Sequence, residues 1–254
     1  MISAREIRKQ VSHYSLLLHE RGWVANHDGN VSCRDGSNGF WITPTAVSKR
    51  ECEPSSIVHC AADGKPLSSG RPPSEVAMHI GAYGARSDVK AVIHAHPPYA
   101  SAFALARKAL GPVAMPEVVV SLGAEIPLAP LALPKAPELA DLSGQVFSEV
   151  DAALFTGNGA VTVGKDLEQA YLRMELVEHY AKIVALSQSI GGVVPLDMDA
   201  MGKMLGLRQK AGLGPQGAAH KGGAEKLAAQ TAPSSLGLKP IIREELKKVL
   251  GGES

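Results

Sequence analysis

Apolar residues recur along this chain with the spacing of amphipathic helices. Between residues 4 and 20 they fall every three or four positions, which predicts a helix that stops near Gly22. The residues on its apolar face are Ile7, Val11, Tyr14 and Leu18. The same spacing predicts three further helices, over residues 74–83, 98–110 and 167–188, with Ser74 as the cap of the first of these.

Shorter apolar runs, separated by turn signals, predict strands. Between residues 23 and 66 the dipeptides Asp28-Gly29, Asp35-Gly36 and Asp63-Gly64 favour tight turns, so we expect a meander of short strands there. Four later runs are predicted as strands, over residues 89–93, 117–120, 153–155 and 160–163. Strands and helices interleave without strict alternation, which predicts an α/β sandwich whose mixed sheet is covered by helices.

The composition changes after about residue 205. The following segment is rich in Ala and Gly and buries too little apolar surface to offset its chain entropy, so we expect a flexible linker over residues 206–237. Residues 238–254 carry a short apolar stripe at helical spacing, formed by Leu238, Ile242, Leu246, Val249 and Leu250. The expected organisation is therefore one domain over residues 1–205, the linker, and a helical tail.

Charge and cysteine content narrow the function classes. The 254 residues include 26 Lys and Arg against 25 Asp and Glu, a net charge of +1 that gives no electrostatic case for nucleic-acid binding. No apolar run approaches the roughly 18–20 residues of a membrane span. The chain has three cysteines and no CxxC pair, which favours a reducing compartment, so we expect a cytoplasmic protein.

Three short motifs carry residues suited to chemistry. In His94-Ala95-His96, positions i and i+2 of an extended segment point to the same side, so both imidazoles could reach one ion. Glu75 lies at the start of a predicted helix, where the helix dipole favours an anion. The turns Gly29–Ser32 and Ile42–Thr45 offer the glycine, amide and hydroxyl groups of an anion cradle. Each motif alone is also compatible with an ordinary structural role.

In this order and spacing, the motifs resemble the class II aldolase/adducin family, and its L-fuculose-1-phosphate aldolase type most closely. The resemblance covers about residues 5–190. Its matched segments are Gly29–Ser32, Ile42–Thr45, Pro73–Glu75, Val92–Pro97, Ile126–Pro130 and Gly159–Gly164. It implies a three-layer α/β/α sandwich around a mixed, mostly antiparallel sheet.

The resemblance also implies an active site. His94 and His96 would bind a divalent metal, usually Zn²⁺ in that family, while Glu75 would bind the resting metal and act as acid and base. The substrate phosphate would be held by Asn30, Thr45 and Ser74. The implied reaction is cleavage of a deoxyketose 1-phosphate, of the fuculose or rhamnulose type, to dihydroxyacetone phosphate and lactaldehyde. A homotetramer is the implied assembly.

The chain departs from the family pattern at three positions. Asn158 stands where a third histidine ligand is expected, and it is a poorer zinc ligand than imidazole. No tyrosine matches the family's catalytic one near Glu117, and Pro73 replaces a serine of the phosphate motif. His179 is a candidate replacement ligand. Two alternatives therefore stay open: a sugar-phosphate epimerase or decarboxylase on the same scaffold, and a non-catalytic, adducin-like binding protein.

The C-terminal segment resembles an encapsulation peptide, which directs enzymes into bacterial microcompartments. A short amphipathic helix on a tether can dock in a groove through anchors at helical spacing. The resemblance implies a microcompartment shell protein as a partner and the interior of a microcompartment as a location. The alternative is a C-terminal helix that folds back on its own core.

Overall fold

One mixed sheet of seven strands forms the centre of the protein, in a computed structural model that describes residues 2–36 and 39–215. In chain order the strands are β1 (Asn30–Arg34), β2 (Gly39–Ile42), β3 (Val58–Ala61), β4 (Ala91–Ala95), β5 (Leu128–Ala129), β6 (Ala152–Phe155) and β7 (Ala160–Gly164). Their spatial order is β3-β2-β1-β4-β7-β6-β5, and neighbouring pairs are antiparallel except for the parallel pair of β5 and β6. β4 therefore lies at the centre of the sheet, and all of its residues are buried.

Helices cover both faces of this sheet. In the described part of the chain they are α1 (Ala4–Glu20), α2 (Val76–Ala85), α3 (Pro98–Leu105), α4 (Pro116–Leu122), α5 (Leu139–Glu149), α6 (Leu167–Ser187) and α7 (Met198–Lys210). One apolar core joins the sheet to α1, α3, α4 and α6, and a second joins it to the packed pair of α2 and α5. The predicted three-layer α/β/α sandwich with a mixed, mostly antiparallel sheet is confirmed. None of the described helices combines the length and apolarity needed to cross a membrane.

Most of the predicted elements are present, with shifted ends. The helix over residues 4–20 and the meander between residues 23 and 66 are confirmed as α1 and as β1, β2 and β3. α3 ends at Leu105 rather than near residue 110, because Arg107 takes a positive φ of 55° and Leu110 pairs with Ile126 in a β-bridge. Ser74 is not the cap of α2: that helix begins at Val76, and Glu75 occupies the N-cap position without a capping side-chain hydrogen bond.

The strand predicted over residues 117–120 is wrong. These residues form α4, in which Val118 and Val119 are buried and which packs against α7. Pro116 in the first turn favours helix initiation, and Glu117 complements the positive end of the helix dipole. A short apolar run does not distinguish a buried strand from a buried helical face.

The folded part of the chain extends past residue 205, where the sequence analysis placed its domain boundary. α7 continues to Lys210, and Arg208 of this helix contacts the fully buried Asp151 at 2.5 Å. Two more buried guanidinium groups bind the same carboxylate, those of Arg86 at 2.7 Å and Arg173 at 2.9 Å. The rest of the predicted linker, from residue 216, and the tail over residues 238–254 lie outside the described residues.

Candidate active site

The candidate site lies at the carboxyl end of β4, between its two antiparallel neighbours. β1 begins at Asn30, which pairs with His94, and β7 begins at Ala160, which pairs with Ala95. The chain enters both neighbouring strands through tight turns at this end of the sheet. Side chains from three adjacent strand ends therefore meet around His94 and His96.

Two glycines allow the turns to approach β4 closely. Gly29 has a φ of +69°, and a Cβ atom there would lie 2.5 Å from Val24 Cγ1 and 3.0 Å from His94 O. Gly159 has a φ of +68°, and its Cβ would lie 2.4 Å from Ala95 O. Residues with a side chain rarely adopt this backbone conformation and would clash here. Both turns next to the site thus depend on glycine.

Glu75 and the two histidines form a close cluster. Glu75 Oε2 lies 3.4 Å from His94 Nε2, and His94 Nε2 lies 3.2 Å from His96 Nε2. His94 is fully buried, whereas His96 keeps about a third of its side chain exposed. The cluster is therefore anchored in the core and open to solvent on the His96 side.

Each imidazole is oriented through its other nitrogen. His94 Nδ1 donates to Ala160 O at 3.1 Å, since a carbonyl oxygen can only accept, and His96 Nδ1 lies 3.4 Å from Asp28 Oδ2. Acceptors at Nδ1 favour lone pairs on both Nε2 atoms. Two lone pairs and a carboxylate at these distances repel each other unless a positive charge lies among them. A proton or a metal cation can supply that charge.

The ionisation of the cluster follows from the same contacts. Burial opposes the charge on Glu75, but the His94 ring and hydrogen bonds from His94, Asn158 and Asn30 outweigh it and lower the pKa of the carboxyl group well below its usual range. Burial also opposes the charge on His94, yet the Glu75 carboxylate raises the pKa of that imidazole. Burial and the neighbouring His94 lower the pKa of His96. Glu75 is thus held as a carboxylate.

The donor set suits a divalent metal ion. Two imidazole nitrogens and a carboxylate are common ligands of zinc and of other transition metals, and the acceptors at Nδ1 are the outer contacts that orient such ligands. Within residues 2–36 and 39–215, no three His, Cys, Asp or Glu side chains are arranged to hold an ion as they stand. Each Glu75 oxygen accepts one amide hydrogen bond, from Asn30 or Asn158. A carboxylate oxygen has a second lone pair, so these bonds can remain as outer contacts when the carboxylate binds an ion.

Asn158 lies inside the cluster, next to the residues predicted as ligands. Its Nδ2 donates to Glu75 Oε1 at 2.6 Å, and its side chain is close enough to His96 to affect the pKa of that imidazole. The amide therefore contacts Glu75, close to His96, from the position that the resemblance assigns to a third histidine. In this arrangement Asn158 holds the carboxylate.

The predicted phosphate-binding residues divide into two groups. Asn30 belongs to the cluster, because its Nδ2 donates to Glu75 Oε2 at 3.1 Å. Thr45 and Ser74 lie on adjoining loops: Thr45 N donates to Arg71 O at 2.9 Å, and Ser74 directly precedes Glu75 and is exposed. The structure therefore brings Asn30 into the cluster and leaves Thr45 and Ser74 beside it.

Two other candidates lie elsewhere. His179 is exposed on α6 and lines a separate open cavity of about 700 Å3, together with Trp23 and Tyr99. Glu117 is exposed in the first turn of α4.

Asp28 is a site residue that the sequence analysis considered only as part of a turn. Its Oδ1 accepts from Ala25 N at 2.5 Å, which closes the turn, while its Oδ2 faces His96. The register of β1 against β4 would have indicated this contact. Asn30 pairs with His94, so the same antiparallel register, continued two residues back into the turn before β1, brings Asp28 opposite His96.

Comparison with known proteins assigns the chain to a family. The family model described as "Class II Aldolase and Adducin N-terminal domain" matches residues 9–185. An L-fuculose phosphate aldolase from Methanococcus maripaludis is 34% identical over 168 residues, which is 66% of this chain and 89% of the relative. A 3-oxo-tetronate 4-phosphate decarboxylase from Escherichia coli is 26% identical over 185 residues, which is 71% of this chain and 86% of the relative.

A solved structure extends the comparison to the fold. The crystal structure of L-fuculose-1-phosphate aldolase from Thermus thermophilus superimposes with a TM-score of 0.65 at 28% identity, covering 76% of this chain and all of that one. This chain belongs to the class II aldolase and adducin family. The relatives are lyases by name, which supports an enzyme of the lyase type.

Proposed function

We propose that the protein is a metal-dependent class II aldolase that cleaves a deoxyketose 1-phosphate of the fuculose or rhamnulose type to dihydroxyacetone phosphate and lactaldehyde. The observation that carries the proposal is the convergence of Glu75, His94 and His96 at the end of β4. The 34% identical relative named L-fuculose phosphate aldolase supports the substrate class.

Each group in the cluster has a role in this reaction. His94, His96 and Glu75 would hold a divalent ion such as Zn²⁺, which when bound supplies Lewis acidity at the substrate carbonyl. Aldol cleavage removes a hydroxyl proton beside the breaking carbon–carbon bond and protonates the carbon that is released. The Glu75 carboxylate can accept this proton and later donate it. For either step it must lie within hydrogen-bond reach of the reacting atom. Asn30, Thr45 and Ser74 would bind the phosphate.

The test is an assay of the purified, zinc-supplied protein on L-fuculose 1-phosphate and L-rhamnulose 1-phosphate. Release of dihydroxyacetone phosphate, abolished by His94→Ala, is the expected result. A protein that binds zinc but cleaves neither ketose phosphate would contradict the aldolase proposal.

A second candidate function is decarboxylation or epimerisation of a sugar phosphate. Decarboxylation is favoured by the 26% identical relative named 3-oxo-tetronate 4-phosphate decarboxylase. Its match covers 71% of this chain, against 66% for the aldolase relative. The same metal-binding cluster would serve, because both reactions also develop negative charge next to a carbonyl group. Carbon dioxide release from a 3-oxo acid phosphate, without cleavage of the ketose phosphates, would select this reaction. A protein without zinc or activity would favour the non-catalytic, adducin-like role.

For the assembly and location we propose a cytoplasmic homotetramer that is a microcompartment cargo. The amphipathic pattern of residues 238–254 supports binding to a shell protein. Deletion of residues 238–254 should leave activity and the size of the oligomer unchanged while ending co-purification with shell protein. Loss of activity on deletion would instead assign the tail to the active site or to the oligomer.

A further inference from the structure

A ladder of buried polar side chains leads from Glu75 into the core between α2 and β1. Glu75, His79 and Tyr83 are spaced four residues apart, so they follow one face of α2. Asn30 and Ser32 alternate along β1 and point to the same side of the sheet. The two sets interdigitate, and at the inner end of the ladder the Tyr83 ring also packs in the second apolar core.

Each step of the ladder is a hydrogen bond. Asn30 Nδ2 donates to Glu75 Oε2 at 3.1 Å, and Asn30 Oδ1 pairs with His79 Nε2. On the other side of the ring, Ser32 Oγ lies 2.6 Å from His79 Nδ1 and 2.7 Å from the Tyr83 hydroxyl. His79 and Ser32 are completely buried, and Asn30 is 2% exposed. Water therefore has little access to replace any of these bonds.

The donors and acceptors can be assigned along the whole ladder. The Glu75 carboxylate only accepts, so Asn30 must present its NH2 group to it and its carbonyl oxygen to His79. His79 must then carry its proton on Nε2. Burial lowers the pKa of His79 to about 3, which leaves a lone pair on Nδ1 for the Ser32 hydroxyl. Burial raises the pKa of Tyr83 well above its usual value, so its hydroxyl keeps the proton that it donates to Ser32.

From these contacts we infer that His79 is a positioning residue, whose Nε2–H fixes the orientation of the Asn30 amide and thereby the Glu75 carboxylate. With the proton on Nδ1 instead, His79 Nε2 would attract the Asn30 NH2 group and turn its carbonyl oxygen towards Glu75. Two oxygens would then face each other at about the 3.1 Å of the present hydrogen bond. The same flip would withdraw amide protons from the space in which a substrate phosphate is proposed to bind. The inference rests on the proposed function only in treating Glu75 as a functional group.

The first test is the protonation of His79 in the wild-type protein. NMR of the 15N-histidine-labelled protein, with His79→Gln used for assignment, distinguishes the two neutral tautomers. The Nε2–H tautomer is expected between pH 6 and 8. The Nδ1–H tautomer would overturn the inference, whether or not the protein proves to be an aldolase.

The second test measures zinc affinity by competition with a chelator, using zinc alone as the probe. His79→Leu removes the donor that fixes Asn30, which is an outer contact of Glu75. Loss of an outer contact usually weakens a metal site roughly 10–100-fold, and the same weakening of zinc binding is expected here. His79→Gln keeps a donor near Nε2 and should recover most of the affinity. Tyr83→Phe is the matched control, because it removes a buried hydrogen bond of the same ladder at the end remote from Glu75. Its zinc affinity should stay within about threefold of the wild type.

The variants also separate positioning from mere loss of stability. His79→Leu and Tyr83→Phe should both lower the urea midpoint, since each removes a buried hydrogen bond, while zinc affinity falls only in His79→Leu. Equal zinc affinity in His79→Leu and the wild type, or equal losses in both variants, would overturn the inference. A wild-type protein that binds no zinc would count against the proposed function, and the tautomer measurement alone would then decide the role of His79.

Discussion

Glu75 accepts a hydrogen bond on each carboxylate oxygen, from Asn158 at 2.6 Å and from Asn30 at 3.1 Å. Two amides therefore hold one carboxylate beside the paired imidazoles of His94 and His96. The sequence predicts the pairing of His94 with His96, because positions i and i+2 of a strand point to the same side. It also predicts that a helix starts near Glu75. The contacts of Asp28 and His79 cannot be predicted from the sequence. The first depends on the register of β1 against β4, and the second depends on the packing of α2.

Asp28→Asn should weaken zinc binding about 10–100-fold, because the carboxylate at His96 Nδ1 orients the ring and increases its basicity. The Asn oxygen can still accept from Ala25 N, so the turn should persist. The measurement is a chelator competition, with the urea midpoint as the control for folding. Unchanged zinc affinity would show that the contact between Asp28 and His96 does not support a metal site.

Asn158→His should tighten zinc binding about tenfold or more, since it places a third imidazole beside Glu75 and His96. Asn158→Ala is the matched variant, because it also removes the amide bond to Glu75 but adds no ligand. If both variants bind zinc more tightly than the wild type, the gain comes from the release of Glu75 and not from the added imidazole. If neither variant binds zinc more tightly, residue 158 lies too far from the ion to act as a ligand.

At the scale of elements, the site depends on the way in which two turns meet the end of β4. Long periodic helices such as α1 and α6 are predictable from sequence because their apolar stripes span several turns. α4 is mistaken for a strand because three consecutive valines show no period. The sequence analysis does not predict α5 or α7. The buried side chains of α7 are Met201 and Arg208, and the partners of Arg208 come from distant parts of the chain.

Gly159→Ala should destabilise the protein by about 1–3 kcal/mol, because Gly159 has a φ of +68° and its added Cβ would lie 2.4 Å from Ala95 O. Gly84→Ala is the control: Gly84 lies in α2, a Cβ added there would have nothing within 4 Å, and Ala should stabilise the helix by roughly 0.5–1 kcal/mol. Urea unfolding measures both. Equal effects of the two substitutions would mean that the turn at Gly159 is not as closely packed as described.

At the scale of the whole molecule, a buried charge cluster joins the C-terminal part of the fold to the sheet. Asp151 precedes β6, and its carboxylate binds guanidinium groups from three separate segments, those of Arg86, Arg173 and Arg208. Arg86 also donates to Gly214 O at 3.2 Å, four residues beyond the end of α7. The composition change after residue 205 marks a loss of apolar residues, but it does not mark the end of the packed chain.

Asp151→Asn should lower the free energy of unfolding by about 3–5 kcal/mol, because it leaves buried guanidinium groups without their carboxylate. The solvent-exposed ion pair of Asp199 and Lys203 provides the comparison, and Asp199→Asn should leave the urea midpoint nearly unchanged. A small effect at Asp151 would mean that the three arginines are satisfied by the backbone carbonyls around them.

The most direct test of the proposed active site is the zinc content per subunit, measured by elemental analysis after supply of zinc and dialysis. The wild-type protein should retain close to one zinc ion per subunit, and His94→Ala, which removes the buried imidazole at the centre of the cluster, should retain almost none. Circular dichroism should show that the variant is folded. A wild-type protein that takes up no zinc, or a folded His94→Ala that binds it equally well, would contradict the assignment of this cluster as a metal-dependent active site.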